Sequence, residues 1–350
     1  VIRPTDIEVW DVELPLRRDM TTAIETTASR RSILVKVATA EAEGWGEAAP
    51  QVGHTRDSVD EAWALLLTEA TRILGAGEPV LIEGSAATSA LDQALTALQA
   101  AGAGRALPEY VDGAIEPVPA SAAIGMTDSP TDLASAVDAI VSAGYEHIKI
   151  KIAPGRTQDL AMVRRRFPDL GIAVDANGSF GRAHWDDLLA LDDLGLDYVE
   201  QPLSVANLTG HAELSRRMEA PVCLDESVRR LGDIVTIATA GAADAVVLKP
   251  GRLGPTLTAH GLTLAHRHGL GVKIGGLIES GVGKHHLVSL ATHPAVTLPS
   301  DLAGSDHYFD RDLVDPPWVV ENGALMARPA IAIDEAALAG VTVRRHRFRR

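Results

Sequence analysis

The sequence predicts an α/β fold in which a (β/α) barrel is joined to a smaller α+β region. Three observations lead there. Five charged residues each end a short apolar run: Lys151 in HIKIKIA, Asp175 in GIAVDAN, Glu200 in DYVEQP, Asp225 in PVCLDES and Lys249 in AVVLKPG. By subtraction of those positions, the gaps are 24, 25, 25 and 24 residues, and one strand, one helix and two loops take roughly 25. Eight strand candidates keep this rhythm, at 118–123, 147–152, 171–175, 197–200, 221–225, 244–249, 271–275 and 295–299, the number that closes such a barrel. The chain before residue 116 and the tail lack that alternation.

Residues 1–50 read as strands, with IEVWDVELPL and SILVKVAT β-rich and EGWGEAAP closing a third. Residues 17–31 between the first two read as a polar loop, long enough for a lid. Residues 57–104 have apolar side chains at helical spacing and few β-branched ones. After a boundary near 116, Ser129 suits a helix N-cap, Pro130 its first position and Asp132 its positive end. Leu133, Val137, Ile140 and Val141 then share a face. WVVENGALM and VTVRRHRF return to β character, and the tail is expected to pack on the N-terminal segment.

At 350 residues one or two domains are expected. The formal charge of −15 argues against nucleic acid as a partner. The one basic cluster, Arg344 to Arg350, reads as a solvated tail. No run of 18 apolar residues exists, so no membrane span is expected. The N-terminal stretch reads as a strand and not as a leader. The single cysteine, Cys223, reads as a buried strand thiol, and a reducing cytoplasm is the expected compartment.

Strand C-terminal ends share one face of a β/α barrel, so the five charged residues are expected to converge. In Ile148-Lys149-Ile150-Lys151, alternation turns both lysines inward and both isoleucines toward the helices. Two close ammonium groups with partial desolvation are expected to lower each other's pKa, and a lysine so depressed can act as a general base. Asp175, Glu200 and Asp225 offer an all-carboxylate set that favours Mg²⁺, with Mn²⁺ as a substitute, over zinc. Asn177 is placed to reach a ligand or a lysine, and Glu226 is a candidate for supporting the metal ligands. Lys249 would face the first lysine pair across whatever the metal holds. Lys273 is expected near the start of its strand with its tip in solvent.

Together, Lys149-Ile150-Lys151, Asp175-Ala-Asn177, Glu200-Gln-Pro202, Asp225-Glu-Ser227 and Lys249-Pro250 resemble the enolase superfamily in its muconate-lactonizing-enzyme-like branch. The resemblance spans nearly the whole chain. It implies a modified (β/α) TIM-type barrel over 117–317 and an α+β capping domain formed by 1–116 with 318–350. Three segments look most like the o-succinylbenzoate synthase family: 149–155, Gly275 to Gly283 and Pro299 to Asp306. That likeness implies Mg²⁺-dependent dehydration of 2-succinyl-6-hydroxy-2,4-cyclohexadiene-1-carboxylate in menaquinone biosynthesis. Lys151 would take the α-proton and Lys249 would stabilise the enediolate, with Lys149 beside them. Met20, Gly276, Glu279, Ser280 and Asp301 are candidate contacts for a small carboxylate substrate, and the loops around Met20–Thr27 and Gly53–Ser58 are expected to close over it.

Two other readings stay open. N-succinylamino-acid racemisation uses the same metal and both lysines, alone or as a second activity. A non-catalytic barrel that binds an anion would use the glycines at 275, 276, 281 and 283. Ser300-Asp301-Leu302 lacks the D-x-D arrangement of dipeptide epimerases. Oligomeric state is left open.

Overall fold

The structure, a computed structural model, describes residues 2–21, 26–75 and 77–350, with backbone alone for 19–21 and 26. Strand β1 (Asp6–Thr21) pairs antiparallel with β2 (Thr26–Ala38), and β2 with β3 (Glu43–Ala48). The stretch 17–31 is therefore mostly strand and not the expected loop. Pairing resumes at Met20 with Thr27 and Thr21 with Thr26 after a register shift beyond Pro15, which has no N–H to give the ladder. The β-branched Thr27 there suits the pleat. Residues 22–25, the tip of the expected lid, lie outside the described residues.

Helices α1 (Val59–Leu74), α2 (Ala86–Gly102) and α3 (Leu107–Tyr110) follow. Ser58 and Glu61 close a capping box on α1, which satisfies backbone donors the first turn would otherwise leave unpaired. Helix α2 is alanine-rich, and its buried Ala86, Ala87, Ala90 and Ala94 let β3 approach closely. A Cβ on Gly46 would fall 2.0 Å from the Ala90 carbonyl oxygen.

The strand expected at 118–123 breaks at Ala120 into β4 (Pro117–Pro119) and β5 (Ser121–Ile124). From β5 the chain alternates: α4 (Pro130–Ser142), β6 (His147–Lys151), α5 (Gln158–Arg166), β7 (Gly171–Asp175), α6 (Trp185–Leu189), β8 (Val199–Glu200), α7 (Leu208–Ser215), β9 (Val222–Leu224), α8 (Leu231–Ala240), β10 (Ala245–Leu248), α9 (Pro250–Arg267) and β11 (Gly271–Ile274). Strands β5 to β11 form one parallel sheet in sequence order. Ser129 caps α4 as expected, accepting from Asp132 N–H, and Leu133, Val137 and Ile140 are buried.

The eighth strand expected at 295–299 does not form. Pro294 precedes it and Pro299 ends it, and neither can donate to a ladder. Separate hydrogen bonds link the two sheet edges instead. Thr297 and Leu298 donate to Val272 O at 2.9 and 3.1 Å, Asp301 donates to Ile274 O at 3.1 Å, and Ser121 donates to Leu302 O at 3.1 Å. Helices α10 (Gly281–Ala291) and α11 (Ser305–Tyr308) lie before and after this segment.

The tail returns as β12 (Ala324–Met326), paired with β4, then α12 (Glu335–Val341) and β13 (Thr342–Arg349), paired with β1. The basic cluster is thus a sheet strand and not a solvated tail. Arg344 reaches Asp11 at 2.7 Å, Arg349 reaches Asp6 at 2.9 Å, and Arg345 and Arg347 pair with Glu8 and Asp6. Opposite charges across neighbouring strands favour that register. No helix among the described residues is long and apolar enough to cross a membrane.

Candidate active site

Strand alternation builds the site. Ile148 and Ile150 of β6 are buried in the main core, so Lys149 and Lys151 take the other face. Register aligns Lys151 with Asp175 and Asp175 with Glu200. Glu200 lies opposite Cys223, so Asp225, two residues on, shares that face one step nearer the strand's C-terminal end. Lys249 directly follows β10. In strand order, β6 and β10 with their lysines bracket the three carboxylate-bearing segments. Lys149, Lys151, Asp175, Asp225 and Lys249 line a cavity of about 520 Å³, together with Asn177 and His54. Cys223 is buried, as a strand thiol should be.

Glu200 and Asp301 are locked in a ring of four charges. Lys149 Nζ donates to Glu200 Oε1 at 2.7 Å and Asp301 Oδ2 at 2.8 Å, and lies 3.5 Å from Asp175. Lys273 Nζ donates to the remaining oxygens, Glu200 Oε2 at 2.7 Å and Asp301 Oδ1 at 2.8 Å, and to the Tyr198 hydroxyl at 2.7 Å. The expectation for Lys273 fails here, because it pairs in register with the inward-facing Val247 and has no exposed surface. Lys149 also departs from expectation. Burial pulls its pKa down, but Asp301, Glu200 and Asp175 outweigh burial and raise it well above the usual lysine value. Burial pushes Glu200 up, with Lys149 and Lys273 pulling the other way. Asp301 is not free for substrate as placed, since both its oxygens accept from lysines.

Asn177 joins the two halves of the site. Lys151 Nζ donates to its Oδ1 at 2.8 Å, and its Nδ2 donates to Asp175 Oδ2 at 3.2 Å and Glu226 Oε1 at 2.9 Å. Its φ of 43° is left-handed, a conformation asparagine tolerates better than most residues. Beyond β9 the chain turns, with Val228 N–H bonded to Asp225 O, and this brings Glu226 inward. Burial, then Asp225 and Asp175, raise the Glu226 pKa. Gly276 and Glu279 line the cavity, and burial raises Glu279 to about 7. Ser280 does not line it. The serine caps α10 and donates to Glu47 Oε2 at 2.6 Å. The Met20 side chain lies outside the described residues.

Four participants were not foreseen. Lys249 Nζ lies 2.8 Å from Asp225 Oδ2 and 3.3 Å from His54 Nδ1. The Lys249 charge, then burial, depresses His54 to about 3. Arg252 is buried 3.5 Å from Asp225 Oδ1, and its place three residues after Lys249 on a helix was the available signal. Gln201 accepts from Asp225 N–H and Ser227 N–H, both at 3.2 Å, and so shapes the turn that carries Asp225. Lys284 lines the cavity from α10. The Gly53–Ser58 loop, expected over the site, does bring His54 to the cavity, but no local pattern ties His54, almost two hundred residues away, to Lys249 itself.

The donor set suits a hard divalent cation: three carboxylates from neighbouring strand ends, with Asp225 Oδ1 and Glu226 Oε2 buried and without hydrogen-bond partners among the described residues. As the side chains stand, no group of three acids, histidines or cysteines among the described residues is placed to hold an ion. Lys149, Lys273 and Lys249 occupy the carboxylates instead.

Known proteins share this architecture. A model of the family described as Enolase C-terminal domain-like matches residues 132–334. An o-succinylbenzoate synthase of Geobacillus stearothermophilus is 31% identical over 339 residues, covering 92% of this chain and 90% of the relative. An N-succinylamino acid racemase of an Amycolatopsis species is 32% identical over 338 residues, covering 91% of each. A dipeptide epimerase of Cytophaga hutchinsonii, whose crystal structure is complexed with Mg and D-Ala-L-Val, superposes with a TM-score of 0.88 at 20% identity, over 99% of this chain and 100% of that one. The inward lysines, the acids on successive strands and the family match over more than half the chain point one way, and this protein belongs to the enolase superfamily.

Proposed function

We propose that this enzyme is an o-succinylbenzoate synthase, dehydrating 2-succinyl-6-hydroxy-2,4-cyclohexadiene-1-carboxylate in menaquinone biosynthesis. The bracketing of three carboxylate strand ends by Lys151 and Lys249 carries the reading. Residues 117–317 would be the catalytic barrel. Residues 1–116 with 318–350 would be its cap, and Arg17, Gln51 and His54 from that cap line the cavity. Asp175, Glu200 and Asp225 would hold Mg²⁺, or Mn²⁺ in its place, and the bound ion supplies positive charge where a substrate carboxylate gains electron density.

Lys151 takes the proton α to that carboxylate as the C–H bond breaks. The same side chain then returns it to the departing hydroxyl as the C–O bond breaks, so water leaves from the face on which the proton was taken. Asn177 orients Lys151 through its 2.8 Å hydrogen bond. Lys249, held by Asp225, adds positive charge from the other side. Lys149 keeps Glu200 and Asp301 in place.

N-succinylamino-acid racemisation is the second reading, favoured by the presence of both lysines in one cavity. There each lysine must act as acid and base on its own face. The direct assay is loss of the cyclohexadiene's ultraviolet absorbance with Mg²⁺ present, and no turnover overturns the first reading. Exchange of the α-proton of N-succinyl amino acids in D₂O tests the second. Failure of both would leave an anion-binding barrel.

A further inference from the structure

The cavity has a charged wall that the proposed chemistry does not use. Lys284, in the first turn of α10, lines it beside Tyr308, whose ring centroid is 5.6 Å from the ammonium. Lys284 is 3% exposed, and its Nζ has no hydrogen-bond partner among the described residues. An ammonium carries three donors, and burying it unpaired is costly.

The nearby acids do not supply that partner. Asp312 accepts from Gly281 N–H at 2.8 Å, Leu313 N–H at 2.7 Å and the Ser305 hydroxyl. Glu47 accepts from Ser280, Gly283 and Ser32. Glu279 Oε2 accepts from Leu277 N–H at 2.6 Å, and its Oε1 is turned to Gly251, where an added Cβ would lie 2.8 Å away. Burial raises the pKa of both Glu47 and Glu279 and lowers that of Lys284, against the opposing charges of Asp312, Glu279, Glu47 and Asp306. Ala123, Ile124, Leu287 and Ala303 add apolar lining to the same cavity.

We propose that Lys284 is a binding residue for a second carboxylate of the substrate, remote from the reacting carbon. The inference rests on the cavity being the reaction site and assigns a part of the substrate that the reading above leaves without a partner. The ligand class is a dicarboxylate: one carboxylate at the Lys151–Lys249 end, an apolar middle, and one against Lys284.

The test is calorimetric titration of the Mg²⁺-supplemented protein with o-succinylbenzoate and with its analogue bearing a carboxamide in place of the side-chain carboxylate. Wild type is expected to prefer the diacid by about tenfold or more. Lys284→Met should bring the two affinities level, and Lys284→Arg should keep part of the preference. Lys284→Gln serves as the neutral variant if the methionine variant fails to fold. A preference unchanged in the neutral variant, or absent in wild type, overturns the assignment and leaves the ammonium as a counter-charge for the acids. Turnover of the cyclohexadiene acid is read separately, so wild type that reacts but shows no preference sinks Lys284 alone. Binding of neither ligand sinks both.

Discussion

Lys151 donates to a neutral amide at 2.8 Å, whereas Lys249 sits 2.8 Å from a carboxylate and 3.3 Å from an imidazole. That difference suits one lysine for moving a proton and the other for holding charge. Lys151→Ala should therefore lower kcat for dehydration by roughly 10²- to 10⁴-fold. Lys249→Arg should retain some dehydration and abolish racemisation, because arginine keeps the charge but stays protonated. Parallel assays on the two substrates check this, and equal loss of both would undo the division of roles. The five spaced residues could be read from the sequence because each ends a strand or directly follows one, and strand ends converge in a barrel. Lys273 could not, since its partners Glu200 and Asp301 come from distant segments, and only the curled sheet with the segment that bridges its edges brings them within 2.8 Å.

Elements were legible where period and caps agreed. Helix α4 begins at the predicted Ser129 cap, and β6 alternates as HIKIK requires. They were not legible where proline and pairing competed. The hairpin of β1 and β2 extends through a polar stretch because each strand has the other as partner. The segment 295–299 fails as a strand because Pro294 before it and Pro299 at its end remove donors. The close seat of β3 on α2 yields a direct test. Gly46→Ala should destabilise the fold by about 1–3 kcal/mol through overpacking, since the Ala90 carbonyl lies 2.0 Å from the added Cβ. A lowered urea midpoint with unchanged slope would register it.

The whole molecule carries a sensitivity to acid. Burial lowers His211 and His285 to about 4 and His286 to about 3, from 6.5. The unfolded chain then binds these protons more tightly, so stability rises with pH through this window. The contribution is fully present above pH 6.5 and is lost as pH falls toward 4. Each site is worth on the order of 3 kcal/mol. Urea midpoints measured from pH 7 to 4 should fall, and His286→Gln should flatten the decline. The proposed metal site also belongs to this scale, because its carboxylates come from three separate strand ends. EDTA should abolish turnover and Mg²⁺ or Mn²⁺ restore it, and Mg²⁺ should raise Tm, because an ion bound by the folded state alone stabilises it by mass action.

By itself the sequence determined the β/α repeat, the inward pair of lysines and the three acids on successive strands. All of these follow from local periodicity and from the rule that side chains alternate along a strand. Only the tertiary structure decided which charges neutralise which. It made Lys273 and Asp301 partners, turned Ser280 toward Glu47, brought His54 to Lys249 and left Lys284 buried with no hydrogen-bond partner among the described residues. The reason is physical: a charge buried far from water must find its counter-charge in space, and spatial neighbours from separate strands and loops leave no periodic trace along the chain.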